Sequence, residues 1–180
     1  MLLVDALATR LPPVAPAVVS TAPEPKRCER SAWIALGLAF RALQGSETST
    51  VLLVTPFRDQ ANLLRKLARA HLSHQASRVR TGTVHVAQGQ EADLVVFDLV
   101  DPSHGWLQGK YGHPERIFCV AFSRSRRQLV LLGDPRKVRT NPLLRELAST
   151  AVDWTPEWTA PSRPPVPPPP RQKFSLQEPF

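Results

Sequence analysis

Three short apolar runs, separated by segments with helical spacing, limit most strongly what this chain can fold into. They are VLLVT at residues 51–55, LVVFDLV at 94–100 and LVLLG at 129–133. Apolar runs of this length are typical of strands in a parallel sheet whose two faces are both covered by helices. We therefore predict an α/β fold with an open parallel sheet.

The segments between these runs carry helix signals. Residues 29–44 predict a helix that stops at Gly45, and a second helix is predicted from Pro56, a residue suited to the first helical position, to about His71. In the first of these helices, the apolar residues recur at helical spacing at Trp33, Leu36, Phe40 and Leu43. Helices and strands thus alternate along the middle of the chain.

The remaining elements are shorter. TVHV at residues 83–86 predicts a strand before the polar turn AQGQE, and residues 114–125 predict a helix leading into the last apolar run. A final helix is predicted near residues 141–149. The segment AVVS at 17–20 can add an edge strand.

Proline placement predicts the domain limits. Of 19 prolines, five precede residue 26, nine follow residue 155 and only five lie in residues 26–150. We predict a Pro-rich N-terminal segment at 1–25, one folded domain at 26–150 and a disordered Pro-rich tail at 151–180, because proline lacks the backbone donor that sheets need. The PxxP pattern in the tail could bind a protein that recognises Pro-rich motifs.

Composition narrows the class of protein. The net charge is +8 over 180 residues, with arginine outnumbering lysine by 18 to 5, which favours a polyanionic partner, although a GC-rich coding sequence would give the same enrichment. Cys28 and Cys119 form no CxxC pattern, so neither a disulfide framework nor a metal site is predicted. No run approaches the roughly 20 apolar residues of a membrane span. We expect a soluble, cytoplasmic protein without membrane contact.

Arg124, Arg126 and Arg127 lie between a predicted helix and an apolar strand. Guanidinium groups present a planar fork of donors that fits phosphate oxygens, so the cluster suggests polyphosphate recognition. A solvated basic turn closing a helix is the alternative. Ligand groups in open α/β sheets gather where strands end, and we expect this cluster there, together with VTPFRDQ after the first run and TVHVAQGQEAD.

Taken together and in order, VTPFRDQ, TVHVAQGQEAD and VAFSRSRRQLVLLGD resemble motifs IV, V and VI of superfamily 1 helicases, particularly the group that includes the helicase of nonsense-mediated mRNA decay. The resemblance covers roughly residues 29–134. It implies a RecA-like domain, which is P-loop NTPase-like in fold. It further implies the second of the two motor domains of such an enzyme.

The resemblance also implies roles for individual residues. Arg124 would be the arginine finger that reaches the γ-phosphate of ATP, and Arg126 would support the same charge. Gly89 and Glu91 would sense the nucleotide, with the carboxylate accepting hydrogen bonds from a ribose hydroxyl. A polar turn with a capping glutamate is the alternative for this segment.

Nucleic-acid contacts are implied at six positions of motifs IV and V: Thr55, Pro56, Gln60, Thr83, His85 and Gln88. Gln88 would link the nucleic-acid and nucleotide sites. Phe57 stands where the family pattern has tyrosine, so a stacking face remains and a hydroxyl is lost. A core position is the alternative for Phe57.

The chain has no GxxxxGK followed by Ser or Thr, and no acidic strand end of the kind that binds magnesium. ATP with Mg would therefore bind only jointly with a P-loop-containing RecA-like domain, in cis or in trans, and the isolated chain should be inactive. A non-catalytic nucleic-acid-binding module and a Pro-rich interaction protein are the alternatives to a helicase motor domain acting on single-stranded DNA or RNA.

Overall fold

A six-stranded, all-parallel sheet forms the centre of the computed structural model, which describes residues 1–7, 9–12, 15, 26–110 and 112–157. Within these residues the strands are β1 (Leu2–Asp5), β2 (Val51–Thr55), β3 (Val79–Thr83), β4 (Ala92–Asp98), β5 (Ser125–Gly133) and β6 (Val152–Asp153). Their order across the sheet is β3-β2-β4-β5-β1-β6. The helices are α1 (Glu29–Gln44), α2 (Arg58–His71), α3 (Pro114–Phe122), α4 (Pro135–Thr140) and α5 (Arg145–Ser149), with a 3₁₀ turn at Ser73–Gln75.

Successive residues of the central strands point to opposite faces of the sheet, where they pack in two separate apolar layers. In β4, Val96 packs with the layer under α1 and α2, whereas Phe97 packs with the layer under α3, α4 and α5. Phe97 is fully buried and makes edge-to-face contacts with Phe118 and Phe122. Helices therefore cover both faces of the sheet, as predicted, and the fold is α/β and RecA-like.

The predicted helix at residues 29–44 and the strand at 51–55 have the observed bounds. The second helix begins at Arg58 and not at Pro56, because Phe57 is still extended at φ −106° and ψ 131°. It ends at His71, as predicted.

Two predicted bounds near the motifs are wrong. The strand predicted at 83–86 is the turn that follows β3, which ends at Thr83. This edge strand reads VRTGT, and only Gly82 in it is buried, so it has no apolar run to reveal it. The helix predicted to reach residue 125 ends at Phe122, because β5 pairs with β4 from Ser125 onward. Arg126 and Arg127 consequently lie on a strand.

The sheet also contains two strands that the sequence analysis did not predict. The strand β1 lies between β5 and β6, with Leu3 paired to Leu131 on one side and to Asp153 on the other. The sheet thus draws on residues before 26 and after 150. The edge strand predicted at 17–20 and the tail after residue 157 lie outside the described residues.

Candidate functional site

Glu91 and Arg124 meet at one edge of the sheet, which we call the amino edge because β4 and β5 begin there. Ala92 opens β4 and its backbone N–H donates to the carbonyl oxygen of Arg124 over 3.0 Å, just before β5 opens at Ser125. Glu91 is exposed and Arg124 is half-buried. The two predicted nucleotide residues therefore share one rim.

Arg126 and Glu91 form an ion pair across this rim. The Nε atom of Arg126 lies 2.9 Å from Oε2 of Glu91, and the side chains are 58% and 50% exposed. Ion pairs with this exposure contribute little to stability, so the pair can open to a ligand at small cost. It joins two residues that are 35 positions apart in the chain.

A β-bulge directs the arginines on this edge. Ala92 pairs with Ser125 and Leu94 pairs with Gln128, so Arg126 and Arg127 together lie opposite the single residue Asp93. Bulges of this kind re-aim side chains and are frequent beside active sites.

Thr50 fixes the carboxylate opposite the bulge. The Oδ2 atom of Asp93 accepts from the backbone N–H of Thr50 at 2.9 Å and from its hydroxyl at 2.8 Å. These hydrogen bonds, and then the charges of Arg126 and Arg127, lower the pKa of Asp93. The carboxylate opposite the two arginines is therefore kept ionised.

Arg124 is folded back onto the end of α3. Its Nε donates to the carbonyl oxygen of Val120 at 3.1 Å and an Nη donates to the hydroxyl of Ser123 at 3.0 Å. The cation satisfies groups at the negative end of the helix, where cations are favoured. To reach a ligand beyond the rim, this guanidinium has to exchange these local bonds for new ones.

A cleft of about 310 Å³ opens beside the Arg126–Glu91 pair. Gly89 lines it at φ 77°, a left-handed conformation that favours glycine, and no atom would crowd a Cβ placed there. Arg78 and Arg80 also line the cleft. Sequence reasoning missed both, because it placed the strand at 83–86; the observed strand begins at Val79, between them.

The predicted nucleic-acid residues lie elsewhere, at the carboxyl edge where β2 and β3 end. Thr55 and Thr83 are register partners there, and Thr55 is fully buried whereas Thr83 is half-buried. Pro56 is half-buried, and His85 and Gln88 are exposed on the turn after β3. The expectation that all three motifs gather at one edge is therefore wrong. Motif V begins at the carboxyl edge and ends at the amino edge, since its turn returns the chain to the start of β4.

Gln60 is buried in a polar network beneath the carboxyl edge. It is 0% exposed, accepts from the backbone N–H of Cys28 at 2.9 Å, and its amide nitrogen lies 2.6 Å from Oδ2 of Asp98 and 3.0 Å from Oγ of Ser31. Its hydrogen-bonding groups are occupied by the protein itself. Gln60 therefore has no surface exposed to a nucleic acid in this structure.

Asp98 is the charged member of this network. Its carboxylate accepts from Gln60, from the hydroxyl of Ser31 at 2.9 Å and from the backbone N–H of Val100 at 3.1 Å. Burial raises the pKa of Asp98 to about 6 despite these three donors. In the sequence, this network is marked by one acidic residue inside the apolar run at 94–100.

Phe57 belongs to the core. It is 6% exposed and its ring makes an edge-to-face contact with the ring of His104, with centroids 5.1 Å apart. The loop that carries His104 covers Phe57. Its aromatic face is not available for stacking on a base in this arrangement.

Within the described ranges, no cluster of three or more His, Cys, Asp or Glu side chains could hold a metal ion. The described helices include none that is both long and apolar enough to cross a membrane.

The all-parallel sheet with helices on both faces is RecA-like, and the similarity to known proteins described next identifies it as a superfamily 1 helicase-like domain. Residues 29–136 match a family described as "AAA domain". The match covers more than half of the chain, so the chain belongs to this family.

Two curated proteins of Schizosaccharomyces pombe are similar to the chain. It is 29% identical to the "Helicase required for RNAi-mediated heterochromatin assembly 1" over 110 residues, which are 61% of this chain and 11% of that protein. It is 30% identical to the "DNA polymerase alpha-associated DNA helicase A" over 95 residues, 53% of this chain and 14% of that protein. The chain thus spans about a tenth to a seventh of these relatives. The closer relation to the nonsense-mediated-decay group stays a prediction.

Proposed function

We propose that this chain is the second motor domain of an ATP-dependent helicase acting on DNA or RNA. The observation that carries the proposal is the shared amino edge. Glu91 and Arg126 line a cleft of about 310 Å³ there, and the carbonyl oxygen of Arg124 accepts from Ala92 of the same lining. The domain supplies half of a nucleotide site, and a P-loop-containing RecA-like domain completes it. The two similar yeast proteins are both named as helicases, which supports this assignment.

In the assembled motor, Arg124 acts on the γ-phosphate. A guanidinium that neutralises charge on the phosphoryl oxygens contributes about 10³ to 10⁵ in rate in well-studied nucleotide hydrolases. In the isolated domain this group donates to Val120 and Ser123, so docking of the P-loop domain has to draw it outward. Magnesium and the lysine that binds the phosphates come from that other domain.

Arg126 and Glu91 exchange partners when nucleotide binds. Their pair is about half exposed and therefore weak, whereas phosphate oxygens give arginine a stronger, charge-assisted partner. Release of Arg126 frees the Glu91 carboxylate to accept from a ribose hydroxyl. Gly89 keeps the adjoining backbone open to close approach.

The carboxyl edge forms part of the track for single-stranded nucleic acid. Thr83, Pro56, His85 and Gln88 retain accessible surface there, so they can contact phosphate or sugar. Thr55 and Gln60 are buried and support this edge from below. Residues 84–91 run directly from the track to the nucleotide cleft, which gives a short physical link between the two sites.

The proposal is tested by adding the matching P-loop domain as a separate chain and measuring ATP hydrolysis with and without single-stranded oligonucleotide. Neither chain alone should hydrolyse ATP, and the mixture should do so with strand stimulation. An assembled complex without hydrolysis would contradict the proposal.

A non-catalytic nucleic-acid-binding module is the second candidate, and the net charge of +8 favours it. It predicts binding of single strands that weakens steeply with salt and that no P-loop domain changes. Stimulation of hydrolysis in the mixture separates the first candidate from this one.

A further inference from the structure

Two arginines at the start of β3 face the nucleotide cleft without an assigned role. Arg78 immediately precedes the strand, and an Nη atom of its guanidinium donates to the carbonyl oxygen of Ser46 at 2.8 Å. The side chain of Arg80 is exposed and has no hydrogen bond or ion pair to any of the described residues. Arg78 is thus held in place, and Arg80 is free to take a ligand.

The charge of the cleft favours a polyanion. Its lining contains the three guanidinium groups of Arg78, Arg80 and Arg126, against the single carboxylate of Glu91. Glu91 is already paired with Arg126, so the lining of the cleft offers Arg78 and Arg80 no other carboxylate. Concave surfaces of one sign concentrate ligands of the opposite sign, and arginine forks match phosphate oxygens.

We propose that Arg80 is a phosphate-binding residue of this cleft and that, contrary to the expectation from the sequence, the chain binds the polyphosphate of a nucleotide without a P-loop domain. The inference rests on the proposed nucleotide site and extends it to β3. Arg80 makes the direct contact, and Arg78, tethered to Ser46, adds charge behind it. Glu91 on the same cleft accepts from the ribose.

The position of the cleft argues for a nucleotide and against a nucleic-acid strand. It lies at the amino edge, whereas the accessible track residues Thr83 and His85 lie at or beyond the carboxyl end of β3. A volume of about 310 Å³ admits a compact ligand. A strand that followed the track would cross the other edge of the sheet.

The test is calorimetric titration of the whole chain with ATP and with pyrophosphate, at low salt and without magnesium. Arg80→Ala should weaken both ligands about tenfold, the loss expected for one charge-assisted contact. Arg80→Lys should lie between that variant and the wild type, because lysine keeps the charge but lacks the fork. Arg69→Ala removes the same charge from an exposed position on α2 that does not line the cleft, and it should change affinity less than twofold.

Three results would overturn the inference. The first is no measurable binding of ATP or pyrophosphate by the wild-type chain. The second is an equal loss with Arg69→Ala, which would mean general attraction by net charge. The third is a loss of oligo(dT) affinity in Arg80→Ala as large as the loss for ATP, which would put nucleic acid in the cleft.

The mixture with the P-loop domain separates this inference from the function on which it rests. The inference would be wrong and the proposed function would stand if the mixture hydrolysed ATP equally well with Arg80→Ala and the chain alone bound no nucleotide. The inference would stand and the proposed function would be wrong if the chain bound nucleotide through Arg80 but the assembled mixture did not hydrolyse ATP. Thermal unfolding of each variant verifies that it folds.

Discussion

Arg126 and Glu91 join the starts of two neighbouring strands, with Nε of the arginine 2.9 Å from Oε2 of the glutamate. The pair closes one side of the cleft while both side chains remain about half exposed. An exposed pair of this kind contributes little to stability. We therefore interpret it as a pair that opens when a ligand enters the cleft.

Glu91→Gln tests this division of roles. We expect the free energy of unfolding to change by less than about 0.5 kcal/mol, because the pair is exposed. Hydrolysis by the mixture with the P-loop domain should fall at least about tenfold, since the amide has only one acceptor oxygen and no charge. Urea denaturation and steady-state ATPase measure the two effects.

Glu115→Gln serves as the matched control, because Glu115 pairs with His113 at an exposed site away from the cleft. It should leave hydrolysis unchanged and lower the free energy of unfolding only slightly, because hydrogen bonds to its own backbone and to His113 lower the pKa of Glu115 and so favour the carboxylate. A loss of several kcal/mol in Glu91→Gln would mean that the ion pair is structural.

Asp98 should make stability depend on pH. Its pKa is raised from 3.8 to about 6 in the folded protein, so the folded state holds more protons than the unfolded state between these values. The free energy of unfolding should therefore fall as pH rises from about 4 to 6, by about 3 kcal/mol at most from this group. Urea denaturation across this range, in wild type and Asp98→Asn, isolates the contribution.

The variant should lose this part of the pH dependence. It should also be less stable by about 1–3 kcal/mol below pH 4, since an amide nitrogen would face the donors of Gln60 and Ser31. Asp59→Asn, an exposed site, is the control and should keep the wild-type slope. Identical slopes in all three proteins would show that Asp98 is not the titrating group.

Replacing Gln60 should lower stability, whereas replacing His85 should weaken the binding of single strands. Gln60→Ala removes the partner of Cys28 and Asp98, so we expect a loss of about 2–4 kcal/mol in stability. Under conditions where the variant remains folded, its affinity for single strands should stay within about twofold of wild type. His85→Ala should do the opposite, with unchanged stability and about threefold weaker binding, because its side chain is exposed on the track.

Fluorescence anisotropy with a labelled oligonucleotide and urea denaturation give both quantities for each variant. A selective loss of strand affinity in Gln60→Ala, with normal stability, would restore Gln60 to the track and contradict its burial.

The central strands could be predicted because each is an apolar run that must be buried on both faces. The strands β1 and β6 could not, since four and two residues carry no periodicity and are defined by pairing with distant partners. The edge strand β3 could not be predicted for a related reason, since its arginine and glycine do not resemble a buried apolar run. Its misplacement also hid Arg78 and Arg80.

In the candidate site, too, some features could be predicted from the sequence and others could not. Motif spacing identified Glu91, Arg124 and Arg126, and their shared rim follows from the position of each just before or at the start of a strand. The burial of Gln60 could not be predicted, because it depends on Asp98 and Cys28, which are 38 and 32 residues away in sequence. Local patterns give the element, and the sheet order decides which side chains meet.

The central claim is that Arg124 acts on a nucleotide held by another domain. It is tested most directly by the turnover number of the mixture with the P-loop domain, measured for wild type and Arg124→Ala at equal concentrations of assembled complex. We predict a loss of about 10³-fold or more in Arg124→Ala, with complex formation unchanged. Turnover within about twofold of wild type in that variant would contradict the account.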